Sequence, residues 1–133
     1  MTRLVENILP CPQFLEETSP GSPFTRKIGF PVREGFVFLS AHEITWCQAS
    51  GAYSVIYYGA GKKLLLSKNL TELESLLHTN IFFRVHHSAI INLYKVSRYF
   101  RGKGGEVEME DGSLVAVSAQ KKKLLLERYT LPA

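Results

Sequence analysis

A chain of 133 residues that is 45% hydrophobic can bury one packed core, and a charged fraction of 21% excludes global disorder. No apolar run reaches the ~18 residues of a membrane helix and no signal peptide opens the chain, so a cytoplasmic protein with no membrane partner is expected. A net charge of +4 permits a polyanionic partner without demanding one. The two cysteines, Cys11 and Cys47, have no metal-ligand spacing and read as free thiols in a reducing compartment.

Residues 1–31 hold five of the six prolines and the linker-like stretch from Glu16 to Pro23. They are expected to form a partly extended arm or linker, with the folded domain over residues 32–130. From Phe36 the pattern changes to short runs of period two. Phe36 to Leu39 is a predicted strand. Glu43 to Ala49 is another, with Ile44, Trp46 and Gln48 on one face and Thr45 and Cys47 on the other. Ser50-Gly51-Ala52 turns the chain into a strand over Tyr53 to Tyr58, and Gly59-Ala60-Gly61 turns it again into Lys63 to Ser67.

Leu70, Leu73 and Leu77 define one helix face. Asn69 with Glu72 and Thr71 with Glu74 are rival capping boxes for its start; Asn80 can end it in a left-handed conformation. Phe82 to Ile90 reads as a strand or strand-like edge, and Asn92 or Ser88 as a cap for a short helix after it. Tyr99 and Phe100 resume extended structure. The surest hairpin runs from Glu106 to Ser118, and a two-residue Asp111-Gly112 turn would set Met109 opposite Leu114 and Val107 opposite Ala116. A last helix, with Ser118 as its cap, would carry Lys121, Lys122 and Lys123 in its first turn. Those cations oppose the helix dipole unless an anion such as a phosphate backbone lies nearby. The fold class is therefore mostly β: packed antiparallel sheets with one or two short helices.

Charge is uneven along the chain. Arg84, Lys95, Arg98, Arg101 and Lys103 occur with no acid among them, whereas Glu106, Glu108, Glu110 and Asp111 cluster in the hairpin. No phosphate loop, dinucleotide fingerprint, zinc spacing or nucleophile elbow is present, so no cofactor and no catalytic residue is expected. His86 and His87 are neighbours on a predicted strand and point to opposite faces, which disfavours a shared metal. Three alternate glutamates on a hairpin read as a solvated face.

Five ordered pieces carry a resemblance. They are Ile44-Thr45-Trp46-Cys47-Gln48-Ala49-Ser50-Gly51-Ala52-Tyr53, Leu66 to Glu74, Phe82-Phe83-Arg84-Val85-His86-His87-Ser88 with Ile91-Asn92-Leu93, Met109 to Ser113, and Val117-Ser118 before Lys121-Lys122. From roughly residue 27 to 129 the chain resembles the LytTR DNA-binding domain, the output module of LytR/AlgR-type bacterial response regulators. The resemblance implies loops inserted into the major groove of promoter DNA at direct-repeat sites. It implies contacts from Ser50, Gly51, Ala52, Tyr53 and Ser54, from His86, His87 and Ser88, and from Ser118, Gln120, Lys121 and Lys122. Asn92 and Lys103 join this expected set, as does Arg84, read as serving phosphate or an internal partner. A dimer on DNA is left open.

The sequence departs from the family where Gln48 replaces a usual Glu, Ala52 a usual Asn, His87 a usual Lys or Arg, and Ala119-Gln120 a usual Arg-Arg. Arginine pairs with guanine and glutamine with adenine, so Gln120 is expected to read a different base or to lose the contact. Family members typically carry an N-terminal receiver domain with a phosphorylated aspartate. Residues 1–31 cannot hold one, so the chain is read as an excised output domain or a shorter regulator. The alternative is a protein-interaction module on the same fold with degraded DNA specificity. A metal protein or enzyme using His86, His87 and Cys47 is the remaining reading.

Overall fold

The computed structural model describes residues 24–102 and 105–132. The proline-rich stretch before Phe24, with Cys11, and the expected contact residue Lys103 lie outside the described residues. Strand β1 (Lys27–Val32) pairs antiparallel with β2 (Gly35–Ser40), so regular structure begins before residue 32, the expected edge of the domain. Pro31 is tolerated because β1 belongs to a two-stranded sheet, where an edge N–H needs no ladder partner. Ser40 and Glu43 form a capping box around a 3-10 turn, and the Ser40 N–H bond at 2.7 Å lowers the Glu43 pKa.

The central sheet contains β3 (Ile44–Ser50), β4 (Tyr53–Tyr58), β5 (Lys62–Leu66), β6 (Phe82–His86) and β7 (Ala89–Asn92), in the order β5-β4-β3-β7-β6. Helix α1 (Leu70–Glu74) links β5 to β6. A third sheet, β10-β9-β8, is made of β8 (Val96–Phe100), β9 (Glu106–Met109) and β10 (Leu114–Ala116), and helix α2 (Lys122–Leu126) follows it. All pairings are antiparallel.

Both faces of the central sheet are covered. On one face Cys47, Ile56, Leu66 and Ile90 pack with Phe30 and Leu39 of the first hairpin and with Leu70 and Leu73 of α1. On the other, Trp46, Val85 and Ile91 pack with Val107, Met109 and Val115 of the third sheet and with Leu125 of α2. This explains adjacent apolar residues such as Ile90 and Ile91: successive side chains enter different cores.

Several local expectations change. A bulge between Ile44 and Trp46 lets Ile44 share the first core with Cys47 while Trp46 enters the second, so Ile44 and Trp46 do not share a face. Phe82 to Ile90 is a hairpin rather than one strand, turning at His87 and Ser88. The Asp111-Gly112 hairpin has a three-residue loop, Glu110 to Gly112, with Gly112 at φ +92°. Leu114 therefore faces Glu108, and Val115 faces Val107. Asn69 with Glu72 is the capping box that forms. The helix ends at Glu74 with a right-handed Ser75 at its C-cap, well before Asn80.

Ser118 does not cap α2 through its side chain. Its carbonyl accepts from Lys121 and Lys122 in a preceding turn, and Lys121 occupies the N-cap position. At five residues, α2 is too short to carry the expected anion site at its N-terminus.

Gly105 leads from the loop into β9 at φ +78°, and a Cβ there would lie 2.6 Å from the Tyr99 hydroxyl oxygen. Its carbonyl accepts from Val117 N at 3.2 Å. Gly105→Ala is expected to cost about 1 to 2 kcal/mol from the left-handed backbone alone, with displacement of Tyr99 in addition. A urea midpoint unchanged from the parent protein counts against this conformation.

Candidate nucleic-acid interface

Three segments far apart in sequence meet at one end of the central sheet. The β3–β4 turn, Ser50 to Tyr53, is closed by the pairing of those two residues. The β6–β7 turn lies beside it, with Ser88 O accepting from Ala49 N at 2.9 Å. On the outer side of β6, Ser118 N donates to Val85 O at 2.8 Å, which brings the turn leading into α2 to the same end. On the other flank Lys68 follows β5, and its carbonyl accepts from the Ser54 hydroxyl at 2.7 Å. At about 4.8 Å per strand, the row from Lys68 to Ser118 is roughly 24 Å wide.

Arg101 lies at this end, lining a groove of about 500 Å³ with His86, Glu106, Ser118 and Ala119. Glu110 and Asp111 occupy the opposite end of the third sheet, where Glu110 N bonds Lys95 O at 2.9 Å. Glu108 pairs with Arg98 across β8 and β9 at 3.6 Å.

The expected contact residues divide by exposure. Ser50, Gly51, Ala52, Tyr53, His87 and Gln120 are exposed, and His86, Ser88, Ser118, Lys121 and Lys122 are half-buried at the same end. Ser54 is fully buried, its hydroxyl donated to Lys68 O, so it supports the turn from below. Asn92 is also fully buried and has no free polar group to offer. Its Nδ2 donates to Ala41 O at 3.1 Å and Ile44 O at 2.8 Å, and its Oδ1 accepts from Tyr94 N at 2.9 Å. Asn92 caps a 3-10 turn inside the molecule instead of facing a ligand.

Arg84 is turned inward, with a side chain only 20% exposed. Nη1 meets Glu74 Oε1 at 2.9 Å and Thr71 Oγ1 at 3.2 Å. Nη2 donates to His87 O at 2.6 Å and Nε to His86 O at 3.3 Å. The internal partner foreseen for this residue is therefore helix α1 and the turn.

The two histidines do not diverge. A register shift between Arg84 and His86, followed by the turn, brings their rings to 4.2 Å at 36°. His86 Nδ1 accepts from Ser88 N at 3.2 Å and lies 2.9 Å from Ser88 Oγ. Among the described residues no three acidic, histidine or cysteine side chains gather as a metal cluster. Cys47 is fully buried, and desolvation pushes its thiol pKa up.

Lys68 is not among the contacts expected from the sequence, and Arg101 stands there only within a basic stretch; strand order brings both cations to this end. Gln48 has a definite role beside the site: its Oε1 accepts from Tyr57 OH at 2.8 Å, and the Tyr57 ring stacks on Trp46 at 4.7 Å.

Residues 34–130 match the family model described as the LytTr DNA-binding domain. No curated protein matches the chain. Among solved structures, it is similar to the LytTr DNA-binding domain of a protein described as a methyl-accepting/DNA response regulator from Bacillus cereus. The two share 17% identity and a TM-score of 0.65, over 77% of this chain and 94% of the other. No helix among the described residues is long and apolar enough to cross a membrane.

Proposed function

The chain belongs to the LytTR DNA-binding domain family, and on that premise we propose that it binds double-stranded DNA sequence-specifically as a bacterial response-regulator output domain. The observation that carries this reading is the convergence of the β3–β4 turn, the His87–Ser88 turn and the Ser118–Lys122 segment at one end of the sheet. The row from Lys68 to Ser118 that contains them is about twice the ~12 Å width of a major groove. Turns at its middle can enter the groove while cations at its ends face the bordering phosphates. In this reading Ser50 to Tyr53, His87 and Ser88 approach bases. Lys121, Lys122, Lys68 and Arg101 neutralise phosphate, and Gln120 reads a base beside them. Binding to direct repeats as a pair of copies, and control through a receiver domain, belong to the same proposal. No catalytic step does.

The test is selection of preferred duplexes from a random pool, followed by the salt dependence of the winner. A preference that survives on top of a steep salt slope supports the proposal. No duplex affinity at low salt sinks it. Gln120→Arg is expected to move preference toward guanine at one position, by about 1 to 3 kcal/mol of discrimination. An unchanged preference in single-base variants of the selected site removes Gln120 as a reader.

One observation favours a second reading. Ala119-Gln120 stands where the resemblance leads one to expect two arginines, and Ala119 presents no donor to a base. An interaction module with degraded specificity predicts salt-sensitive binding with no preferred sequence, which the same selection distinguishes.

A further inference from the structure

We propose that Arg84 is a positioning residue: it holds the His87–Ser88 turn in its DNA-reading shape by tying the turn's carbonyls to helix α1, and it does not itself contact DNA. The inference rests on the DNA-binding reading above.

The turn needs an outside support. The register shift between Arg84 and His86 takes the chain out of the regular ladder where the two histidines begin. The carbonyls of His86 and His87 both receive Arg84 N–H groups instead. The same guanidinium reaches across to Thr71 and Glu74, and α1 is itself fixed by its Asn69 capping box and by the burial of Leu70 and Leu73. A planar fork with five N–H donors can serve four acceptors in different directions, whereas a lysine ammonium at the end of a flexible stem cannot hold that geometry. The turn is then locked on both sides. Ser88 O is bound by Ala49 N from β3, and His86 Nδ1 receives Ser88 N from within.

Glu74 provides the discriminating test. It is an acid whose side chain is 45% exposed near the DNA-facing end. Simple electrostatics predicts that Glu74→Gln tightens DNA binding, because one repulsion is removed. The positioning role predicts the reverse. Affinity for the preferred duplex should fall several-fold, because the amide oxygen of glutamine still accepts from Arg84 Nη1 but no longer pairs with its charge. Affinity for a scrambled duplex should hold or rise, so specificity collapses.

Arg84→Gln should lose specific affinity with the salt slope unchanged, and Arg84→Lys should fail to restore it. Amide exchange of Ala49 and Ser88, measured without DNA, should quicken in all three variants at unchanged or little-changed global stability. A Glu74→Gln protein that binds its preferred site as well as or better than the parent overturns the proposal. So does an Arg84→Gln salt slope reduced by about 0.9, the signature of a lost phosphate contact. Should Arg84→Gln fail to fold, Glu74→Gln still decides. Failure of the parent protein to bind any duplex would instead sink the DNA-binding reading, while the exchange measurement would still report whether Arg84 and Glu74 hold the turn.

Discussion

Asn92→Ala is expected to destabilise the fold by about 3 to 4 kcal/mol, because it removes three hydrogen bonds that a fully buried carboxamide makes to three segments. The carboxamide ties together the 3-10 turn after β2, the first residue of β3 and the turn after β7, through Ala41 O, Ile44 O and Tyr94 N. Each hydrogen bond lost contributes about 1 kcal/mol, and alanine adds a small cavity; Ala41 O keeps the bond it accepts from Ile44 N. At the usual conversion for a domain near this size, the melting temperature should fall by roughly 15 °C or more. Asn92→Asp should fare no better, because a carboxylate offers acceptors where two carbonyls already point. Urea denaturation measures the loss. A variant as stable as the parent but deficient in DNA binding, with a reduced salt slope, would return Asn92 to the interface and refute its buried role.

The second large effect concerns binding. Lys121→Ala combined with Lys122→Ala should lower affinity roughly 30-fold near 0.15 M salt, from two lost phosphate contacts at about 0.9 log units of salt slope each. The slope itself should fall by about 1.8, and every duplex should weaken alike, because phosphate carries no sequence information. Stability should change little: among the described residues the Lys122 side chain makes no hydrogen bond or ion pair, and Lys121 contributes a ring contact, its Nζ standing 5.9 Å from the Phe83 centroid. A contact of that kind is worth about 0.5 to 1 kcal/mol. Fluorescence anisotropy across a salt series, on the selected duplex and on a scrambled one, reads both quantities. Loss confined to the preferred duplex would mean that the lysines read bases and that the assignment of contacts is inverted.

The two predictions separate roles that look alike in one dimension. Asn92 and Lys122 both belong to the pieces that carry the resemblance, yet one is fully buried and the other keeps part of its surface in solvent. Arg84 shows the same division. It stands in a basic stretch beside two histidines, and its sequence setting is compatible with a phosphate contact. Only the distances to Glu74, Thr71 and the two turn carbonyls show that its donors are already engaged.

What the sequence determined by itself was whatever depends on near neighbours. Period-two runs marked the strands. Two overlapping capping boxes marked a helix start near Asn69 to Thr71 because capping acts over three residues, though the structure chose between them, and Gly112 marked a turn because its positive φ is a local property. The ordered motifs marked the family. Registers and faces were decided by the tertiary structure. A single bulge moved Ile44 and Trp46 into different cores, and one extra loop residue exchanged Leu114 for Val115 on the buried face. Period-two reasoning cannot see either, since one inserted residue inverts every side chain beyond it. The interface itself was of this second kind. Ser50, His87 and Ser118 are neighbours because β3, β7 and β6 lie side by side and the chain after β10 runs along the outer edge of β6. That order follows from packing both faces of one sheet, a property of the whole chain and of no segment within it.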